Sequence, residues 1–185
     1  MKRKLLIFSV LAICAAILAA GTIAFFNAEG KAHNVITTGG VDIAIQEWAD
    51  EARETPFEDL DDIMPGMTVT KIAEIKNTGA SEAWIRVQVT KGIELAGGGE
   101  PDLNLLQLDL NTAAWTLGED GYLYYNKPLP AGATTEPIFT TVDFSIAMGN
   151  AYQNATATVN VAAQGVQTAN NGKTALEAQG WPETT

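Results

Sequence analysis

In the stretch EAWIRVQVT, Glu82 to Thr90, the side chains of Ala83, Ile85, Val87 and Val89 fall on one side of an extended chain. Trp84, Arg86, Gln88 and Thr90 fall on the other. Strict alternation marks a strand with one face in a core, because successive side chains of extended backbone point to opposite faces. The pattern recurs. Val41, Ile43 and Ile45 alternate with Asp42, Ala44 and Gln46, and Val142, Phe144 and Ile146 alternate with Asp143 and Ser145. Further apolar runs are VTKIAEI, LNLLQLDL, YLYY and TATVNVAA. Turn residues separate them at Pro65-Gly66, Asn77-Thr78-Gly79, Gly97 to Gly99, Gly118 to Gly121, Pro130 to Gly132 and Gly149-Asn150. Short strands at this spacing predict an all-β chain: a single jelly-roll-like antiparallel β-sandwich preceded by an N-terminal signal helix. The longest expected connection runs from Ala49 to Gly66. Helix signals are sparse, the clearest being TALEAQGW, Thr174 to Trp181, ended by Pro182.

The signal helix rests on the first residues. Lys2, Arg3 and Lys4 precede an apolar run of 22 residues, Leu5 to Phe26, interrupted only by Ser9, Gly21 and Thr22. That is long enough to span a bilayer, which takes about 20 residues, whereas the apolar part of a secretory signal is usually about 7 to 15. Composition argues for a cleaved leader. Alanines dilute the run, and Thr22 and Ala24 are small enough for the minus-three and minus-one pockets of a signal peptidase. No cluster of Lys or Arg closes the run as a stop-transfer signal would. Cleavage is expected between Ala24 and Phe25, with a second candidate after Gly21, so that the membrane is met only through the uncleaved leader. A permanent anchor is the alternative. The one cysteine, Cys14, lies within the leader, and Ile13 before it is too large for a lipoprotein signal. The mature chain therefore holds neither disulfides nor thiolate metal sites.

These boundaries divide the chain into a leader (1–24), an extended segment (25–38), a sandwich (39–170) and a C-terminal tail with a short helix (171–185). The mature 161 residues suffice for one core. Removing the three basic residues of the leader leaves 11 − 3 = 8 Lys and Arg against 22 Asp and Glu, a formal charge of −14. A polyanion is repelled by such a chain, which excludes nucleic acid as a partner, and the charge suits solubility outside the cell.

Catalytic chemistry finds little purchase, and no catalytic residue is assigned. A zinc peptidase of the usual kind needs two helical histidines four residues apart with a glutamate between them. The chain has one histidine, His33, in a Gly, Lys and Asn-containing stretch near the expected new N-terminus. No Gly-rich phosphate loop leads from a strand into a helix. The segment DEARETPFEDLDD, Asp50 to Asp62, concentrates seven carboxylates around one arginine. Calcium accepts several oxygens from a flexible loop, so Glu58, Asp59, Asp61 and Asp62 are candidate ligands, although their spacing departs from the EF-hand pattern. A plain solvated acidic loop is the other reading, and otherwise no cofactor is expected. Trp84, Trp115, Tyr122, Tyr124 and Tyr125 can be read as a sugar-stacking platform or as core.

Four blocks carry a resemblance. GTIAFFNAEGKAHNVITTGGVDIAI is similar to the leader junction and first strand of the TasA and camelysin family, exported Gram-positive proteins processed by a SipW-type signal peptidase. MPGMTVTKIAEIKNTGASEAWIRVQV resembles that family's Pro-Gly turn, strand, Asn-Thr-Gly hairpin and next strand. WTLGEDGYLYYNKPLPAGATTEPIF and YQNATATVNVAAQGVQT follow in the family's order. The resemblance implies a secreted jelly-roll-like sandwich that assembles into extracellular fibres of the biofilm matrix by donor-strand exchange. Its partners would be the SipW-type peptidase and copies of itself or related matrix subunits. Phe25, Phe26, Val35 and Ile36 are the expected anchors of the donor strand, since an extended segment with apolar side chains can close an open sheet edge. Camelysin itself is described as a surface metallopeptidase, which stands as the second reading; a carbohydrate-binding module is the third.

Overall fold

The computed structural model describes residues 26–29, 34–37 and 40–182. The leader with its signal helix, both candidate cleavage sites, Phe25 and His33 lie outside the described residues.

Among the described residues eleven strands carry the fold: β1 (Phe26–Glu29), β2 (Asn34–Thr37), β3 (Ile43–Trp48), β4 (Leu60–Ile63), β5 (Thr68–Asn77), β6 (Ala83–Glu94), β7 (Leu106–Leu108), β8 (Trp115–Leu117), β9 (Leu123–Tyr125), β10 (Phe139–Phe144) and β11 (Ala155–Gln167). They form two sheets. One has the order β4-β1-β11-β6-β9-β8, with β2 also paired to β11, and the other has the order β3-β5-β10-β7. The chain is an all-β sandwich, antiparallel apart from β1 and β2, which run parallel to β11.

The backbone of the first sheet is the pairing of β6 with β11, continuous from Ala83↔Gln167 to Glu94↔Thr156. Alternation decides what each face meets. Ile85 and Val87 of β6 and Val161 and Ala163 of β11 turn inward, against Ile43, Ile75, Phe139 and Val142 of the other sheet. All eight are buried. Complete burial of such a side chain contributes about 1.5–3 kcal/mol, so among the described residues, which hold no cysteine, this layer is the main source of stability.

Three expectations change. Asn77-Thr78-Gly79 is not a hairpin turn: β5 belongs to one sheet and β6 to the other, so this turn arches between layers. Its geometry is held by Asn77, fully buried, whose side-chain amide donates to the carbonyls of Ser81 (2.8 Å) and Leu129 (3.0 Å). Ile146, expected on a core face with Val142 and Phe144, lies beyond the end of β10 and is 85% exposed. The acidic connection is not wholly a loop, since it contains β4. The TALEAQGW segment forms a single 3-10 turn, Ala175–Glu177, capped by the Thr174 side chain.

Beyond that turn the tail crosses the outer face of the first sheet. Trp84, Tyr122, Tyr124 and Val166 are buried there against Ala175, Ala178 and Trp181. The Trp84 indole N–H donates to the Asn171 carbonyl at 2.9 Å. Arg86 is the centre of this layer. Its guanidinium carbon lies 4.0 Å from the Tyr122 ring centroid and 4.7 Å from that of Trp181, and it donates to Gln164 and Asp120.

Candidate functional site

The N-terminal segment is placed where a strand can enter or leave the sandwich. β1 pairs with β11 from Phe26↔Ala155 to Glu29↔Thr158, and β2 pairs with the same strand from Asn34↔Ala162 to Thr37↔Gly165. Between Glu29 and Asn34 the segment advances five residues while β11 advances four. β1 and β2 thus lie along two stretches of β11, Ala155 to Thr158 and Ala162 to Gly165, one register step apart.

On its other side β1 meets β4, with Phe26 opposite Ile63 and Ala28 opposite Leu60. Among the described residues β4 has no other ladder partner, so without β1 its hydrogen-bonding groups, and one edge of β11, face solvent. Unpaired edges of this sort recruit any extended chain that fits. β4 itself is poorly suited to recruitment from its far side. It is four residues long, bulged between its two pairs with β1, and carries Asp61 and Asp62 exposed, the latter with φ +61°. Shortness, bulges and charge are the usual means of blunting an edge.

The link to the body of the domain is short. Thr37 ends β2, Val41 is already in the core at 1% exposure, and Gly40 between them is exposed with φ +75°, a conformation that glycine adopts without a Cβ penalty. Gly165 lets this crossing occur, because a Cβ there would stand 2.9 Å from Cγ1 of Val41. A groove of ≈620 Å³ opens beside β4, lined by Phe57, Leu60, Ile63, Met67 and Val69 among others.

Of the expected donor-strand anchors, Phe26 lies in β1, opposite Ile63 and Ala155. Val35 and Ile36 lie in β2, opposite Ala163 and Gln164. Phe25 is outside the described residues. Glu58, Asp59, Asp61 and Asp62 are all exposed, and among the described residues no three His, Cys, Asp or Glu side chains converge as metal ligands. The five aromatics do not make a surface either. Trp115 and Tyr125 belong to the core between the sheets, while Trp84, Tyr122 and Tyr124 lie beneath the tail. YLYY alternates as its sequence suggests, but both of its faces are covered.

Polar groups that sequence reasoning passed over lie beside the groove. Lys71 Nζ is 2.6 Å from Glu47 Oε2, with side-chain exposures of 3% and 9%, and 4.0 Å from the Phe57 ring centroid. Burial lowers the lysine's pKa, and the Glu47 carboxylate partly restores it. On the outer face of the same sheet Glu74 accepts from the Trp48 indole N–H at 3.0 Å and from Arg53 Nε at 2.9 Å. Arg53 thereby ties the acidic connection down onto β5. A signal for the inner pair existed in the sequence: Lys71 is the one charge at an inward position of Val69, Lys71, Ala73, Ile75, and Glu47 continues the inward series of Ile43 and Ile45.

Comparison with known proteins gives one result. A family described as camelysin metallo-endopeptidase matches residues 1–93. No curated protein and no solved structure matches the chain. The matched region runs from residue 1 through β5 and all but the last residue of β6, and so includes the N-terminal segment, β4 and the Asn77 arch. The family's description implies a metal. The donor set present does not fit one: the single histidine lies outside the described residues, and no ligand cluster occurs within them. No metal-dependent step is derived.

Proposed function

Because the chain belongs to the camelysin metallo-endopeptidase family, we propose that its mature form is a secreted structural subunit, building extracellular biofilm-matrix fibres by donor-strand exchange. The observation that carries the reading is the placement of β1 between β4 and β11, with β2 farther along the same edge of β11 and Val41 entering the core just beyond Gly40.

Three features of this segment support exchange. It pairs parallel to the last strand, so no tight turn binds it to its partner, and its N-terminal end is free once the leader is cut. The crossing ahead of Val41 provides the hinge. Energetically, a neighbour's segment in the same slot makes the same pairs with β11 and β4 that the chain's own segment makes, so those contacts cancel between closed monomer and swapped fibre. What remains is hinge strain against effective concentration, which for a short tether is in the millimolar range. Closed monomers are therefore expected in dilute solution, and fibres where export concentrates the chain at the cell surface.

The test is removal of residues 25–34. The truncated protein should fail to form filaments by electron microscopy; filaments formed as readily as by the parent would sink the donor reading.

The family's description favours a second reading, a surface metallopeptidase. It requires casein cleavage by the purified protein that stops when a chelator is added, whereas a fibre subunit polymerises without turning over any substrate. The chelator experiment on one preparation separates the two.

A further inference from the structure

Asn171 is the only asparagine of the chain that is followed by glycine, and it is the hub of the C-terminal tail. Its amide nitrogen donates to the Gln167 carbonyl at 3.1 Å and to the Gln179 carbonyl at 3.0 Å, while its Oδ1 accepts from the Gln179 N–H at 2.8 Å. Its own carbonyl accepts from the Trp84 indole at 2.9 Å. One side chain thus closes the loop from Gln167 to Gln179, and one backbone group ties that loop to the sheet. The glycine is required as well. Gly172 has φ +59°, and a Cβ there would stand 2.9 Å from the Ala178 nitrogen.

The same geometry suits a reaction. The side-chain carbonyl carbon of an asparagine is an electrophile that can close a small ring with the next backbone nitrogen, and a following glycine leaves that approach unobstructed. Among the described residues the Gly172 N–H donates to no group, so no hydrogen bond has to break before its nitrogen attacks. The Gln179 N–H already faces Oδ1, the oxygen on which negative charge develops, as a donor does in acyl transfer. In the step itself Gly172 N bonds to Asn171 Cγ, the Cγ–Nδ2 bond breaks, and the glycine's amide proton leaves with Nδ2 as ammonia. Water then opens the cyclic imide to aspartate or isoaspartate. No oxidant or cofactor enters.

We propose that Asn171 is a self-modifying site, whose slow deamidation releases the C-terminal tail from the outer face of the first sheet. The product carboxylate has no N–H to donate. It sets a negative charge against the Gln167 and Gln179 carbonyl oxygens, where two hydrogen bonds stood before, on a chain whose net charge is already −11. The loop then opens, the Trp84 indole loses its acceptor, and Trp181 leaves the Arg86 guanidinium. Trp84, Tyr122 and Tyr124 are uncovered together, an aromatic patch of the kind that marks interaction sites and that the newly made chain keeps covered. β1, β2 and β4 lie outside these contacts, so the switch is independent of how the N-terminal segment is used.

The purified protein is aged in mildly alkaline buffer beside the same protein unfolded in urea, and the peptide spanning Asn171 is weighed by mass spectrometry. The expected result is the mass gain of an amide exchanged for an acid, at a rate near that of the unfolded chain. The gain should be slower in mildly acidic buffer, because the attacking nitrogen must lose its proton. A folded chain that lags the unfolded one by about tenfold or more overturns the site. Trypsin reads the release, since Lys173 lies exposed in the tail: the deamidated fraction should be cut there several-fold faster than fresh protein, and equal cutting overturns the switch. Asn171→Asp separates consequence from chemistry. It should show the fast cleavage without ageing, while the core strands keep the parent's circular dichroism; cleavage at the parental rate overturns the release.

Discussion

Replacing Glu47 by glutamine isolates the inward-facing ion pair. The substitution keeps the shape of the side chain and removes its charge, leaving Lys71 Nζ, previously 2.6 Å from a carboxylate oxygen, with a neutral partner in a site of 3% side-chain exposure. Loss of one partner from a buried pair typically costs about 3–5 kcal/mol; the amide oxygen can still accept one hydrogen bond, so the lower end, about 3 kcal/mol, is expected. For a domain of this size about 1 kcal/mol corresponds to roughly 2–4 °C, so the melting temperature should fall by roughly 6–12 °C. The sign of the pH dependence is also set. Burial lowers the native pKa of Lys71 below the usual lysine value of 10.5, so between that lowered value and 10.5 the unfolded chain binds more protons than the native one, and stability rises with pH through that window. Without the Glu47 carboxylate the native value drops further and the window widens toward neutrality. Tyr124 and Tyr125, whose pKa values are raised by burial and then by their carboxylate partners, act in the opposite sense above pH 10, but equally in parent and variant. The measurement is therefore the difference between Glu47→Gln and parent in urea melts from pH 7 to 10. That difference should shrink as pH rises. A variant within about 0.5 kcal/mol of the parent at pH 7, with no alkaline convergence, would refute the reasoning. The double variant Lys71→Met/Glu47→Leu provides the complement: it should be neutral or more stable, because the desolvation of both charges disappears with the pair.

Other sites yield sharper single measurements. Asp109 is partly desolvated, which opposes ionisation, yet donors from Thr140 and Thr141 outweigh that and hold its pKa below the usual aspartate value of 3.8. Its stabilisation is present above 3.8 and lost as pH falls through the native value, so Asp109→Asn should cost about 1–2 kcal/mol at neutral pH and converge with the parent in acid melts. Asn77→Ala removes the amide that donates to the Ser81 and Leu129 carbonyls at the arch between the sheets, leaving Leu129 only its bond from the Ala83 N–H, at a cost of about 1–3 kcal/mol by chemical denaturation. Trp181→Ala removes the ring 4.7 Å from the Arg86 guanidinium and 5.9 Å from the Tyr124 ring. It should cost about 1–2 kcal/mol and make the tail after Gln167 the first site of limited proteolysis.

Alternation was enough to find β3, β6 and β10, because a half-buried strand writes its two faces into consecutive residues, and apolar runs marked β5 and β11. It also placed Tyr122 and Tyr124 on one face and Leu123 and Tyr125 on the other. Where alternation stops was less legible: Ile146 continues the pattern of Val142 and Phe144 in sequence, yet the backbone turns after Phe144 and leaves it exposed. The N-terminal segment was recognisable as extended and apolar from Phe26, Val35 and Ile36, but its position along β11 was not, since a strand's own residues do not name the edge it will join.

The sequence by itself determined that this chain is built of strands, that its one cysteine is Cys14, near the N-terminus, and that its charge is strongly negative, because these follow from composition and local period. Only the tertiary structure decided that Asn77-Thr78-Gly79 crosses between sheets, that Lys71 meets Glu47, that the tail covers Trp84 and Arg86, and that β1 lies between β4 and β11. Each of these joins residues far apart in the chain, and a period of two records which way a side chain faces but not what stands opposite it.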